Sequence, residues 1–353
     1  MNTSDNNTLQ DLKRVKPFIE PPNATSINLL CVFRNESLLL PYFIDYYVKL
    51  GVTHFTFIDN DSTDDSMQYV KSRTDINSQI FYVRTSCAAN MYGVNWVNKI
   101  MNIQFKDMWC VVVDIDELMI PESGKTLHDI RREMEFENAN VLVNVMVDFY
   151  PCQLGGDEYK RGSSFQSHSC YFDEMSEKTI FYEHQLDNQL TFKGGLRHRL
   201  VHGNKIPTNN SVCLTKRNFF KNDFYATHYL AEGMHWLIPI GFVSWMDSKN
   251  RELWGTANKH LRFFSKQSVI GHFKYLKPNI KEVFEERVAR GEDWSGLKNG
   301  EDKKDASSEY KEYVKNFKES FYCEDVSIDM KTIDDVYDKT INKILNLHND
   351  NKL

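Results

Sequence analysis

A chain of 353 residues, 41% hydrophobic and 26% charged, is long and apolar enough for one large domain or two ordinary ones around a sizeable core. Its formal net charge of -6 excludes a general nucleic-acid binder, whose surface must be basic to displace counterions. Seven scattered cysteines without a C-x-x-C pair exclude a disulfide framework or zinc ribbon and fit a reducing compartment.

Residues 1–26 are polar, lack an apolar h-region and read as an N-terminal tail. No stretch is long and apolar enough to span a bilayer. A cytoplasmic location is expected, with peripheral association at the inner membrane face left open. The ordered fold is expected to begin at Ile27, where the apolar run INLLCVF (27–33) predicts a buried strand. Leu39, Phe43, Tyr46, Tyr47 and Leu50 then recur at helical spacing, with Pro41 near the first turn and Gly51 as the stop. THFTFID (53–59) predicts a second strand, running into the polar turn Asn60-Asp61-Ser62-Thr63-Asp64-Asp65.

Gln79 to Val83 reads as a third strand, and Val94, Val97, Met101 and Phe105 mark one face of a helix. WCVVV (109–113) predicts a fully buried strand. Thr126 opens a helix carrying Leu127, Ile130 and Met134, and Val141 to Val147 is a further strand. Strands alternating with helices predict an α/β fold with a mostly parallel central sheet covered on both faces. From Pro151 to about Lys193 the periodicity is lost. A capped helix is expected from Asn279 to Gly291, and a last amphipathic helix carries Ile333, Val336, Ile341, Ile344 and Leu345. The expected organisation is a main domain over 27–290 and a helical C-terminal segment over 291–353.

The sharpest chemical signal is Asp114-Ile115-Asp116 at the end of WCVVV. Alternate residues at a strand end point the same way, so two carboxylates could share one hard divalent cation, Mg²⁺ or Mn²⁺, with a diphosphate. A solvated acidic turn is the plain alternative. Arg34-Asn35-Glu36 after the first strand and Asp59 with Asp61 after the second lie where sheets of this kind bind ligands. Asp61, Ser62 and Asp64 would otherwise merely cap the next helix.

Gly194-Gly195 before Arg197 would let backbone approach a ligand, with a guanidinium available to phosphate; a plain turn into a basic strand explains them equally. His228, Glu232 and His235, if helical, would share one face and include a candidate general base. His272, in the apolar run SVIGHFKYL, is a candidate third metal ligand or a satisfied core histidine.

Together, CVFRNESLLLPYFIDYYVKLGVTHFTFIDNDSTDDS, WCVVVDIDELMIP, KGGLRHRL, and IGHFKYL followed by ARGEDW resemble the GT-A-fold glycosyltransferases, in their family-2-like branch, over roughly residues 27 to 315. The resemblance implies a three-layer GT-A-type sandwich, a nucleotide-sugar donor (UDP-sugar favoured), a divalent metal, a glycan or other hydroxyl acceptor, and inversion. It places Glu36 and Asp59 at the nucleoside and Asp114 and Asp116 at the metal–diphosphate, with His272 as a late ligand. Such enzymes commonly supply the base from a Glu-Asp pair, and none stands here between Gly194 and His272. His228 and Glu232 are the candidate catalytic pair, a hydrogen-bonded surface cluster being the plain alternative, and surface polysaccharide synthesis is the expected role. The alternatives are a nucleotidylyltransferase acting on sugar phosphates and a non-catalytic carbohydrate-binding protein. Against the first stands the glycine-poor Arg34-Asn35-Glu36, where a Gly-rich basic loop is usual.

Overall fold

A computed structural model describes residues 12–87, 90–152, 158–173, 177–180, 190–193, 196, 215–226, 228–231, 236–239, 260–277, 280, 282, 285, 322, 327–330, 332 and 335–341. The strands are β1 (Lys13–Lys16), β2 (Ile27–Phe33), β3 (His54–Asp59), β4 (Ser78–Tyr82), β5 (Trp109–Val112), β6 (Glu117–Ile120), β7 (Val141–Tyr150) and β8 (Tyr171–Asp173). There follow β9 (Glu177–Ile180), β10 (Leu190–Lys193), β11 (Thr215–Lys221), β12 (His228–Ala231), β13 (Trp236–Pro239), β14 (Phe263–His272) and β15 (Ser327–Asp329). Four helices accompany them among the described residues: α1 (Leu40–Lys49), α2 (Ser66–Ser72), α3 (Val94–Gln104) and α4 (Leu127–Phe136). A further helical run covers 335–341.

The central sheet has the order β1-β4-β3-β2-β5-β11-β7-β14-β6, with β8 beside β7 and β15 beside β8. Strands β2, β3, β4, β5, β7, β14 and β15 run one way, and β1, β6, β8 and β11 the other. The sheet is thus mostly parallel in direction, as the alternation of elements predicts, and the fold is α/β. β9–β10 and β12–β13 form separate antiparallel hairpins.

Strand alternation builds the layers. Leu29, Cys31 and Phe33 of β2 face one side, where they join Phe43, Ile44 and Tyr47 of α1 and Leu127, Ile130 and Met134 of α4. Leu30 faces the other side with Cys110 and Val112 of β5, against Val94, Val97, Ile100 and Met101 of α3. Thr126 caps α4 in a full capping box with Asp129, the start signal its sequence carries. Gly93 enters α3 at φ 89°, and a Cβ there would stand 2.9 Å from Val32 Cγ2, so both dihedral and space call for glycine.

The sheet begins upstream of Ile27. Lys13–Lys16 pairs antiparallel with β4, and Leu12 is buried beside it. KRVK has almost no apolar signal because it is an edge strand, where charge is the usual protection against further pairing. Within 279–291, residues 280, 282 and 285 are helical. Among the described residues, no helix is long and apolar enough to cross a membrane.

Candidate active site

The loops at the carboxyl ends of the parallel strands carry the polar residues that sequence singles out. β2 lies between β3 and β5, so chain leaves it toward one side and returns on the other, the switch point at which sheets of this kind place a ligand crevice. Asp114 and Asp116 follow β5 there, and Glu36 follows β2.

The acidic turn is held by backbone and by its own third carboxylate. The Glu117 N–H donates to the Asp114 carbonyl at 3.1 Å, and the Asp114 N–H donates to Glu117 Oε2 at 3.2 Å. The Phe273 N–H donates to the Asp116 carbonyl at 2.7 Å, tying the turn to the end of β14. The Tyr47 hydroxyl donates to the Glu117 carbonyl at 3.0 Å, so α1 anchors the following strand.

His272 ends β14 in register with Asp148 on one side and Glu117 on the other. Its Nδ1 sits 2.5 Å from Asp148 Oδ1, and its Nε2 lies 3.7 Å from Asp116 Oδ2. A carboxylate behind one ring nitrogen fixes the other toward the site, the usual support of a metal-binding imidazole. Among the described residues no group of three or more His, Cys, Asp or Glu side chains is arranged to hold an ion by itself.

Three lysines enter this acidic region. Lys216 of β11 is buried against Glu117 in an ion pair, with Nζ 3.8 Å from Asp114 Oδ2. Lys277, after β14, pairs with Glu36 and with Lys274 acts on Asp116. Burial works to raise the Asp116 pKa, but His272, Lys277, Lys274 and Lys216 together hold it below the usual carboxylate range. Asp114 is pushed up to about 6 by its surroundings and by Glu117, although its side chain is 48% exposed and water moderates the effect. Burial likewise lifts Glu36 to about 7 against the pull of Lys277.

The other expected ligand-binding residues divide. Arg34 and Asn35 are exposed at the end of β2, with Asn35 at φ 55°. Asn35 Oδ1 accepts from the Thr63 N–H at 2.7 Å, and the Asn35 N–H donates to Ser62 Oγ at 3.0 Å. Asn35 thus stitches the two loops together. Asp59 is buried and accepts from the Ser62 N–H at 3.2 Å; burial raises its pKa more than that bond lowers it. Asp61, at φ 59°, accepts from the Tyr82 hydroxyl, with Arg84 Nε 3.9 Å away. Gly194, Gly195, Arg197 and Glu232 lie outside the described residues.

Of the expected catalytic pair, His228 is described: it opens strand β12, opposite Pro239, so the helical arrangement considered for it does not form. Hairpin pairing with β13 overrides the three- and four-residue spacing. His228 is buried edge-on to Phe224 at 6.0 Å, and burial, then His260, pushes its pKa down to about 4. Such a ring is a core group. Its neutral form is favoured in the folded state, so its share of stability is complete above the ordinary value near 6.5 and is lost as pH falls toward 4. His228→Gln should flatten that acid limb by about 3 kcal/mol in urea melts across the same window.

Glu117, Asp148, Lys216, Lys274 and Lys277 are the site residues that sequence reasoning misses. Of these, Glu117 stood beside the acidic motif, Lys274 inside IGHFKYL and Lys277 directly after it.

No known family's profile matches the chain, and no curated protein matches its sequence. Its fold is similar to that of several solved structures at low identity. The inositol-1-phosphate CTP transferase of T. maritima shares 8% identity at TM-score 0.33, covering 74% of this chain and 98% of its own. The UTP-bound UGPase of Acinetobacter baumannii shares 11% at TM-score 0.29, covering 70% and 85%. A 4-diphosphocytidyl-2C-methyl-D-erythritol synthase of Anaerococcus prevotii shares 9% at TM-score 0.30, covering 81% and 98%. The expected glycosyltransferase is corrected here: the similar structures are nucleotidyltransferases.

Proposed function

We propose that the chain is a metal-assisted nucleotidyltransferase, joining the nucleotidyl group of a nucleoside triphosphate to a phosphorylated acceptor of the sugar-phosphate class. The observation that carries this reading is the mixed charge of the site. Asp114, Asp116 and His272 converge with Lys274 and Lys277 above the ends of parallel strands.

Acid and imidazole donors of this kind suit Mg²⁺ or Mn²⁺. Asp116 and His272, the latter backed by Asp148, supply such donors side by side, and a ligand's phosphates would complete the shell. Bound there, the ion would supply neutralisation of a polyphosphate. Asp116 and His272 would hold it, with Asp114 at the exposed rim and Asp148 orienting the imidazole. Lys277 and Lys274 would offset the charge on the departing pyrophosphate. Glu36 and Asp59 would face the nucleoside side of the crevice, and Asn35 would keep the two loops in register.

A phosphorylated acceptor fits a site that carries Lys274 and Lys277. A hydroxyl acceptor needs a group to remove its proton, whereas a phosphate oxygen attacks as an anion. One bond forms from that oxygen to the α-phosphorus, and the α–β bridging bond breaks to release pyrophosphate. Incubation of the purified protein with nucleoside triphosphates and a panel of sugar and polyol phosphates should yield pyrophosphate only when both substrates and a divalent ion are present. A purified, folded protein that releases none with any pair would count against the reading.

A further inference from the structure

Three carboxylates fall within four residues at the end of β5, yet one of them is closed to any ligand. Both Glu117 oxygens are engaged, one by Lys216 Nζ and the other by the Asp114 N–H at 3.2 Å. The Glu117 and Lys216 side chains are each only 2% exposed. Lys216 comes from a different part of the chain, on β11, where the register with β7 shifts between Lys216 and Phe219. From there its ammonium also lies 3.8 Å from Asp114 Oδ2. Apolar residues of similar volume can often replace a buried ion pair without loss of stability. Packing alone therefore gives no reason for this one, whereas its position beside Asp114 does.

We propose that Lys216 is a resident counter-ion that sets the divalent-ion affinity of the acidic turn. It keeps Glu117 out of the ligand set and offsets Asp114, so the turn alone binds an ion weakly and needs a ligand's phosphates to hold it. This rests on the metal-assisted reading above. Lys216 is a positioning and tuning residue, since it is buried behind the carboxylates it acts on.

The proposal predicts opposite signs for the two halves of the pair. Lys216→Met removes a repelling charge close to the ion and should tighten Mn²⁺ binding to the nucleotide-free protein by roughly tenfold. Glu117→Gln leaves the ammonium unbalanced toward Asp114 and should weaken it by a similar factor. A pair that merely supported the fold would weaken binding in both variants. Glu117→Gln/Lys216→Met should return close to the wild-type affinity.

The test is a Mn²⁺ titration of the full chain, with free ion read by electron paramagnetic resonance and folding checked by circular dichroism. If Lys216→Met does not fold, the comparison of Glu117→Gln with the double variant carries the same sign, because removing Lys216 from the Glu117→Gln background should tighten binding. Weaker or unchanged binding in folded Lys216→Met would overturn the proposal, as would a double variant no tighter than Glu117→Gln. A wild-type protein that binds no Mn²⁺, with or without a nucleoside triphosphate, would instead overturn the metal-assisted reading beneath it.

Discussion

Asp116→Asn should lower kcat/KM by on the order of a hundredfold or more, the scale of losing a major electrostatic stabiliser. Asp116 stays ionised because His272, Lys277, Lys274 and Lys216 together outweigh its burial. The asparagine keeps the shape and removes only the charge. Lys274 and Lys277 then lose an offsetting charge, so a triphosphate without metal should bind the variant as well as wild type or better. Its metal-dependent gain in affinity should vanish. A structural role for Asp116 predicts the reverse, with binding lost in parallel with stability. Steady-state kinetics and calorimetry with and without Mg²⁺ separate the two, and near-normal turnover would remove Asp116 from the metal site.

Lys277→Met should weaken nucleoside triphosphate binding by roughly 10- to 100-fold, the equivalent of a charge-assisted contact of about 1.5–3 kcal/mol. Lys277 follows the end of β14, pairs with Glu36 and acts on Asp116, so it links the loop after β2 to the acidic turn. Without it Glu36 loses the partner that holds its pKa down and should be protonated across neutral pH. Lys277→Arg keeps the charge and should restore most of the affinity, although its planar head will not reproduce the geometry fully. Unchanged affinity in Lys277→Met would place the triphosphate elsewhere.

Which parts were legible in the sequence follows from how local each signal is. INLLCVF and WCVVV are apolar on both faces, and they lie in the middle of the sheet with helices on each side. α1 and α4 carry their helical period and stop or cap signals within a dozen residues. Asp114, Asp116 and His272 were singled out because each adjoins an apolar run. β11 was not, since TKRNFFK places two buried cations in a central strand and reads as surface. Lys216 meets Glu117 across 99 residues, and Lys277 meets Glu36 across 241. No window on the sequence holds both members of either pair. The activity was misread for a related reason: an acidic pair after a buried strand suits any metal-assisted transfer of a nucleotide-linked group. The helical arrangement considered for His228 gives way to hairpin pairing with a strand eight to eleven residues on, which local spacing does not reveal.

The measurement that bears most directly on nucleotidyl transfer is a ³¹P magnetic resonance time course of the purified chain with Mg²⁺, a nucleoside triphosphate and a sugar phosphate. The account predicts that triphosphate and monoester signals fall together while pyrophosphate and a new diphosphate diester grow in equal amounts. Inert triphosphate, alongside release of nucleoside diphosphate from a nucleotide-sugar, would contradict it.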